Sequence, residues 1–267
     1  MNLFWKNKRF LYKQDSKILF TKTLAFTLAE ILIVIGIIGI VAEMVIPGVV
    51  ANTTDAYSLA MVKEDFSIIQ QAIKMAEVNE GSFSAWYNGN ANIQNANTTV
   101  NQVLSKYLRV SKNCGATQGC FSPNPYKALS SSSTVISALT LYVNIDNTPT
   151  RWSTMMLSNG SSLAMGVWGF NGSDPNSTIS GIVFIVDVNG LKAPNRWGYD
   201  TFLYELSSTA KGSDFHAIWN PATNNDNNIT GCYSSAASSN FGGIGGGCSG
   251  WAVYNSTVKY KNGELLP

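Results

Sequence analysis

The chain has 267 residues, of which 45% are hydrophobic and only 13% are charged, and its formal net charge is +2. This length allows one sizeable hydrophobic core together with an appended element. A net charge so close to zero argues against a protein that binds nucleic acid or acidic substrates through a basic surface.

The basic residues are concentrated at the start of the chain. Residues 1–25 carry six lysines and arginines, opposed only by Asp15: Lys6, Lys8, Arg9, Lys13, Lys17 and Lys22. Because basic residues that flank an apolar segment tend to stay in the cytoplasm, this leader predicts a cytoplasmic N-terminus. We therefore expect the chain beyond about residue 52 to lie outside the cytoplasm.

Residues 26–51 form a long apolar segment. As a helix, FTLAEILIVIGIIGIVAEMVIPGVVA is long enough to cross a hydrocarbon core of about 30 Å. Two ordinary explanations are a secretory signal peptide that is cut after the apolar region and an anchor that is never cut. A cut after Ala42 would place Ile40 where signal peptidase requires a small residue. A cut after Ala51, with Val49 upstream, is tolerable but follows a very long apolar region. Neither explanation accounts for Glu30.

Glu30 places a carboxylate inside the apolar segment. A charge in lipid is costly and needs a partner, yet no lysine or arginine follows Glu30 within one helical turn. If a protease cut the chain immediately before Phe26, the new α-amino group would lie four residues from Glu30. We therefore expect this terminus to neutralise the carboxylate, either within one chain or between neighbouring subunits.

The residues around this cut resemble a known processing signal. Lys22-Thr-Leu-Ala-Phe-Thr-Leu-Ala-Glu30 is similar to the class III signal of type IV prepilins and type II secretion pseudopilins. The resemblance implies that a prepilin peptidase cuts between Ala25 and Phe26 and then N-methylates Phe26. The family usually has glycine where this chain has Ala25. Pro47 falls where the family commonly has a proline that bends the helix.

The same resemblance implies a fold and a function. The fold class is α+β and pilin-like, with a long N-terminal helix packed on an antiparallel sheet. The function is that of a structural subunit, a pilin or pseudopilin, of a type IV pilus-like or type II secretion fibre. In such a fibre Glu30 would pair with the Phe26 amine of an adjacent subunit and set the register of assembly. No enzymatic activity and no cofactor are expected.

Partners and location follow from the resemblance as well. The expected partners are other copies of the chain or other pilins, the prepilin peptidase and an assembly platform in the inner membrane. The precursor would span the inner membrane once, with a periplasmic or extracellular head, and the fibre would lie at the cell surface. The alternative function is a membrane-anchored extracellular binding or adhesion domain that does not polymerise.

Glu43 is a second carboxylate in the apolar segment. It follows Glu30 by 13 residues, which corresponds to about 20 Å along a helix. Glu43 would lie either near the outer membrane–water interface, where a glutamate costs little, or against a neighbouring subunit of the fibre. We favour the interface.

Residues 52–80 are predicted to continue the helix in amphipathic form. Apolar residues recur there at steps of three and four, as on one face of a helix: Leu59, Val62, Phe66, Ile69, Ile73 and Ala76. Polar residues, including Asp65, are assigned to the other faces. We expect helix from residue 26 to about residue 78, bent or loosened near Pro47. The apolar seam would pack in a coiled coil or on the chain's own head, and the resemblance favours the head.

Residues 81–267 are predicted to form this head, with an antiparallel sheet and cysteine loops. Residues 82–130 have an irregular, Asn-rich sequence, apart from a short helix at 100–108. Alternating and β-branched residues predict strands at 134–146, 161–170, 182–188, 200–206 and 251–260.

The chain has four cysteines, all beyond the apolar segment: Cys114, Cys120, Cys232 and Cys248. An even number of cysteines in an exported region predicts two disulfides. Three pairings are possible, and we favour Cys114–Cys120 with Cys232–Cys248 because short loops containing glycine close easily. Zinc is disfavoured because neither spacing is C-x-x-C and no histidine lies nearby in sequence.

The stretch from Asp187 to Asp200 provides calcium candidates. Asp187, Asn189 and Asp200 offer the oxygen ligands that calcium prefers, and some pseudopilins hold calcium in a C-terminal loop. However, an EF-hand spacing is absent, and Asp or Asn in turns usually bonds the backbone instead. We favour the turn.

A catalytic site is not predicted. His216 is the single histidine of the chain, it is interpreted as a surface residue of a polar loop, and neither G-x-S-x-G nor H-E-x-x-H is present. Residues 245–250 match G-x-G-x-x-G formally, but they follow no βα unit.

Overall fold

The computed structural model describes residues 26–87, 92–127, 129, 152–169, 179–209, 212–218, 232, 247–256 and 258. The chain divides into two compact units, residues 1–50 and residues 51–267. The described α-helices are α1 (Leu28–Glu80), α2 (Ile93–Leu104) and α3 (Cys248–Tyr254), and a 3₁₀ turn covers Phe83–Ala85. Helix α1 runs through Pro47 without interruption.

Within the described residues, six strands form one antiparallel sheet, and each strand pairs with its neighbour along the chain. The strands are β1 (Val110–Gly115), β2 (Ser153–Leu157), β3 (Ser162–Trp168), β4 (Gly181–Asp187), β5 (Thr201–Thr209) and β6 (Gly212–Ala217). The long N-terminal helix and the antiparallel sheet confirm the α+β class.

The central strands of this sheet are buried on both faces. Leu163, Val186 and Phe202 are aligned across β3, β4 and β5, and they belong to the core that also contains α1, α2 and α3. The next residues along the strands point to the opposite face, as the period of two requires. They belong to a second, smaller core, which contains Trp197 and the disulfide-bonded Cys120.

The second half of α1 packs on this sheet. Val62, Ile69, Ile73 and Ala76 are buried almost completely, while Leu59 and Phe66 are partly buried. The ring of Phe66 lies 5.4 Å from that of Tyr204 on β5 and 4.9 Å from that of Phe215 on β6. The Tyr204 hydroxyl also donates to the carbonyl of Val62 at 3.1 Å. The predicted seam is therefore confirmed, and the chain's own sheet covers it.

Helix α2 begins earlier than predicted. The side chain of Asn92 accepts hydrogen bonds from the backbone amides of Gln94 and Asn95, which caps the helix and starts it at Ile93. The helix ends at Leu104, so the range 100–108 was wrong at both ends. Residues 82–130 also contain β1 and a 3₁₀ turn, so they are more regular than their Asn-rich sequence indicated.

Residues 251–260 were predicted as a strand, and this was wrong for residues 251–254, while residues 257, 259 and 260 lie outside the described part of the chain. The chain forms helix α3 from Cys248 to Tyr254 instead, and Cys248 and Ala252, four residues apart, are both buried on one helix face. Strands β2 and β6 were not predicted. The predicted strand at 134–146 lies outside the described residues.

Candidate functional site

The apolar segment starts at a capped helix end. The Glu30 carboxylate accepts hydrogen bonds from the backbone amide and the hydroxyl of Thr27, both at 2.8 Å, and the Thr27 hydroxyl accepts from the Glu30 amide. This reciprocal arrangement is a capping box. Glu30 thus has a local partner that the sequence interpretation did not consider. The capping box satisfies the hydrogen bonds of the Glu30 carboxylate, but Thr27 supplies no positive charge.

The predicted cut lies between Ala25 and Phe26. Phe26 precedes α1 and exposes 78% of its surface. Ala25 lies outside the described residues. Since α1 begins at Leu28, a terminus at Phe26 would lie directly next to the capping box.

The apolar segment exposes nearly all of its large side chains. Between residues 28 and 50, leucine, isoleucine, valine and methionine side chains each expose from 45% to 78% of their surface. By length and composition this part of α1 could cross a membrane. Burying one such side chain away from water stabilises by about 1.5–3 kcal/mol, so this surface requires lipid or other protein around it.

Glu43 lies within this exposed surface. Its carboxylate has no hydrogen bond and no ion pair among the described residues. Unlike Glu30, it is not at a helix end, and so no capping interaction can account for it.

The calcium candidates are brought together where β4 ends and β5 begins. Asp187 is fully buried, and its carboxylate accepts from the Tyr126 hydroxyl at 2.6 Å and from the Asn189 amide at 3.2 Å. Burial, together with the charge of the nearby Asp200, raises the pKa of Asp187 well above its usual value.

Asp200 is buried as well, and four donors surround it. Its carboxylate accepts from the backbone amides of Arg196 and Asn195 at 2.6 and 2.8 Å. It also accepts from the Asn189 side-chain amide at 3.1 Å and the Thr201 hydroxyl at 3.2 Å. Burial raises the pKa of Asp200 as well.

This cluster fits a hydrogen-bonded turn better than a metal site. All four carboxylate oxygens of Asp187 and Asp200 already accept hydrogen bonds from the protein. The described part of the chain has no group of three or more His, Cys, Asp or Glu residues that could hold a metal ion. The side-chain oxygens of Asn189 and Asn195 are buried and have no partner among the described residues, so a cation could still use them. Calcium binding stays a prediction.

Asp65 is a buried carboxylate that was wrongly assigned to a face of α1 other than the buried one. It is fully buried, and it accepts from the Asn159 side-chain amide and from the Ser161 hydroxyl, both at 2.7 Å. Burial raises the pKa of Asp65 to about 6. Its position, three residues after Val62 and four before Ile69, could have shown that it lies on the buried face.

The turn that binds Asp65 is held close to the turn after β4. A side chain at Gly190, whose φ is +70°, would place its Cβ 2.5 Å from the carbonyl oxygen of Gly160. Only glycine permits this approach. Asp65 therefore ties α1 to the turn between β2 and β3, and that turn lies against the turn after β4.

Both disulfides join the locally paired cysteines that the sequence favours. Cys114 is bonded to Cys120 and Cys232 to Cys248, with Cα separations of 6.0 and 4.6 Å. All four cysteines of the chain are used in this way.

His216 lies on β6 rather than in a loop. Its ring nitrogens are 3.3 Å from Asp214 and 3.9 Å from Glu205 on the neighbouring strand, and its side chain is about one-fifth exposed, at 21%. The interpretation as a surface loop residue was therefore wrong, and the histidine is part of the sheet edge.

In comparisons with known proteins, no family model, no curated protein and no solved structure matches the chain. We therefore infer the function from the residues and contacts of the chain itself.

Proposed function

We propose that the chain is a structural subunit of a type IV pilus-like or type II secretion fibre, assembled through its N-terminal helix after cleavage before Phe26. The observation that carries this proposal is the exposed apolar surface of residues 28–50, joined without a break to a helix that packs on a folded sheet. The resemblance of residues 22–30 to the prepilin signal supports it.

The proposed mechanism uses the apolar surface twice. In the precursor, the surface contacts lipid as a membrane span. In the fibre, the same surface contacts the helices of other copies, so that no apolar side chain has to enter water during assembly. The folded part of residues 51–267 has its own buried core and stays outside the membrane.

Glu30 would set the register of this assembly. In the dry centre of a fibre an unpaired carboxylate is strongly disfavoured, whereas the Phe26 amine of an adjacent subunit would neutralise it. The capping box with Thr27 holds the Glu30 carboxylate at the start of the helix, beside the new terminus.

Mass spectrometry of the chain from fibre and membrane fractions tests the processing step. We expect a mature N-terminus at methylated Phe26. We expect Ala25→Leu to block cleavage, because a small residue is needed before the cut, whereas Ala42→Leu should not affect it. Cleavage that is lost in Ala42→Leu and kept in Ala25→Leu would identify an ordinary signal peptide and refute the proposal.

Two substitutions at Glu30 separate its charge from its capping role. Glutamine keeps the capping box, since either Glu or Gln serves at that position, but it removes the charge. We expect Glu30→Gln and Glu30→Ala both to be cleaved normally and both to be depleted from fibres. If Glu30→Gln assembled as well as the unmodified chain, the charge pair would be disproved and capping alone would remain.

A membrane-anchored domain that does not polymerise is the second candidate. The observation that favours it is the capping box, which gives Glu30 a role without any cleavage. This candidate predicts that residues 1–25 remain attached in the working protein. It also predicts that removing the prepilin peptidase leaves the mass of the chain unchanged.

A further inference from the structure

A groove runs beside the second half of α1. It has a volume of about 540 Å³. On one side it is lined by α1 residues from Glu64 to Met75, and on the other side by Tyr107, Arg109 and the end of β2 near Leu157. The α1 wall spans about 16 Å, or three helical turns, so the groove has the length of a short helical contact.

The lining of the groove combines apolar side chains with polar ones, and its two charged residues are Arg109 and Glu64. Ile68, Ala72 and Leu157 contribute apolar side chains, and Met75 exposes 54% of its surface there. Arg109 is exposed, and its guanidinium group has no ion pair or hydrogen bond among the described residues. Apolar side chains next to a guanidinium group without a described partner suit an apolar stretch of helix that carries one carboxylate.

Residues 36–50 of the apolar segment form such a stretch of helix. Glu43 is its carboxylate without a described partner, and the residues one turn away on the same face are Gly39, Ile40, Ile46 and Pro47. A side chain at Gly39 would meet nothing within 4 Å, so another surface can approach the backbone there. Once the segment is packed in a fibre, Glu43 needs a cation for the same reason as Glu30.

We propose that the groove receives the apolar helix of a second copy of this chain, with Arg109 paired to Glu43 of that copy. This inference rests on the proposed function and names a specific contact within the fibre. An arginine can hold a carboxylate through two parallel hydrogen bonds, which fixes orientation as well as charge. The expectation that Glu43 lies at the membrane interface would then describe the precursor alone.

The contact joins two different surfaces, the groove of one copy and the helix of another. With such a heterologous contact, two bound copies still leave one groove and one helix free, so further copies can add. The result is an open fibre unless the rotation between successive copies closes a ring. Glu64 also lines the groove and would repel Glu43, so the register must bring Glu43 close to Arg109 and away from Glu64.

Chemical cross-linking in assembled fibres tests the contact. All four native cysteines are in disulfides, so two introduced cysteines would be the only free thiols of the full chain. A short bis-maleimide is suitable because the two long side chains hold the backbones farther apart than a disulfide allows. We expect the Glu43→Cys, Arg109→Cys chain to give a ladder of linked copies, and each single variant to give none. The control pair, Glu43→Cys with Lys192→Cys, uses another exposed lysine or arginine position and should give no ladder.

A neutral double-mutant cycle tests the charge pair without reversing any charge. We expect Arg109→Gln to lower the fibre fraction about tenfold, the factor that corresponds to about 1.4 kcal/mol. Adding Glu43→Gln should restore assembly, because no charge is then left unpaired. Glu64→Gln removes the other charge of the groove, and this variant should not lower the fibre fraction.

The possible outcomes decide between the two proposals. Normal assembly of Arg109→Gln, or no rescue by Glu43→Gln, would overturn the groove contact while leaving the fibre intact. Fibres of the double-cysteine chain that give no ladder would also overturn it. Linkage of the groove cysteine to another pilin-like protein would show that the occupant is a different subunit. An unmodified chain that keeps residues 1–25 and never assembles would refute the proposed function and this inference with it.

Discussion

Both halves of α1 contain large apolar side chains, but these side chains differ in how much of their surface is exposed. In residues 28–50 every large apolar side chain is exposed, whereas in the second half Val62, Ile69 and Ala76 have no exposed surface at all. The first half is apolar all round, and the second half is apolar on one seam only. A seam can be covered by the chain's own sheet, but a helix that is apolar on all sides needs surroundings that a small head cannot provide.

The carboxylates of the two halves differ in the same way. Asp65 in the second half is buried and has two donors from the turn between β2 and β3. Glu30 and Glu43 in the first half are exposed, and only Glu30 has a described partner. The buried seam of the second half is thus covered within one chain, while the apolar surface of the first half still requires lipid or other protein around it.

Shortening one isoleucine in each half is the strongest test of this difference. We expect Ile69→Ala to destabilise the head by about 2–5 kcal/mol, because a fully buried side chain leaves a cavity. Ile38, which exposes 60% of its surface, is the matched control. Ile38→Ala should change the free energy of unfolding by less than about 0.5 kcal/mol. Denaturant unfolding of the full chain in detergent, followed by tryptophan fluorescence, measures both. Equal effects would show that the two halves share one core.

The pH dependence of stability tests the burial of Asp65. Its pKa is about 6 in the folded chain, above the ordinary value of 3.8, so the folded state binds the proton more tightly. Its contribution to stability is therefore present below pH 4 and is lost as the pH rises through 6. By pH 7 the loss reaches up to about 3 kcal/mol.

Asp65→Asn removes this contribution to the pH dependence. The difference in unfolding free energy between the variant and the unmodified chain should change between pH 4 and pH 7, and the variant should gain relative stability at the higher pH. Asp187 and Asp200 also have raised pKa values, but both chains contain them, so they do not affect the difference. Parallel pH profiles of the two chains would contradict the burial of an ionisable Asp65.

Calcium is expected to have the smallest effect. Because the carboxylate oxygens of Asp187 and Asp200 already accept hydrogen bonds, we expect the melting temperature to be the same with calcium chloride and with a chelator. A calcium-dependent rise that disappears in Asp200→Asn would instead show that Asn189 and Asn195 complete an oxygen site.

Much of the fold could be predicted from local pattern. Helix was expected over residues 26–78 and occurs over Leu28–Glu80, and strands were expected close to where β3, β4 and β5 occur. These elements have strong apolar periodicity, and burial on the sheet follows that periodicity. Strand β6 has the polar sequence GSDFHA and lies at the sheet edge, where one side faces solvent, so it has little apolar signal.

The site was predicted less completely than the fold. The exposed apolar segment and the cysteine pairs were anticipated from composition and spacing. The capping role of Thr27 was missed, although Thr27 and Glu30 have the T-x-x-E spacing that is typical of a capping box. The partners of Asp65 and the position of Arg109 beside the groove were not predicted, because each depends on a distant neighbour that hydrophobicity does not indicate. For Asp65 that neighbour is Asn159, which lies 94 residues away in sequence.

The sequence by itself determined the features that depend on a residue and its near neighbours. These are the basic leader, the length of the apolar segment, the seam of α1 and the strands with regular alternation. Only the tertiary structure decided which polar groups are buried, that residues 248–254 form a helix, and that a groove with a free guanidinium group lies beside α1. The physical reason is that apolar burial follows a short repeat along the chain, whereas a polar group can be buried only where distant residues supply its partners.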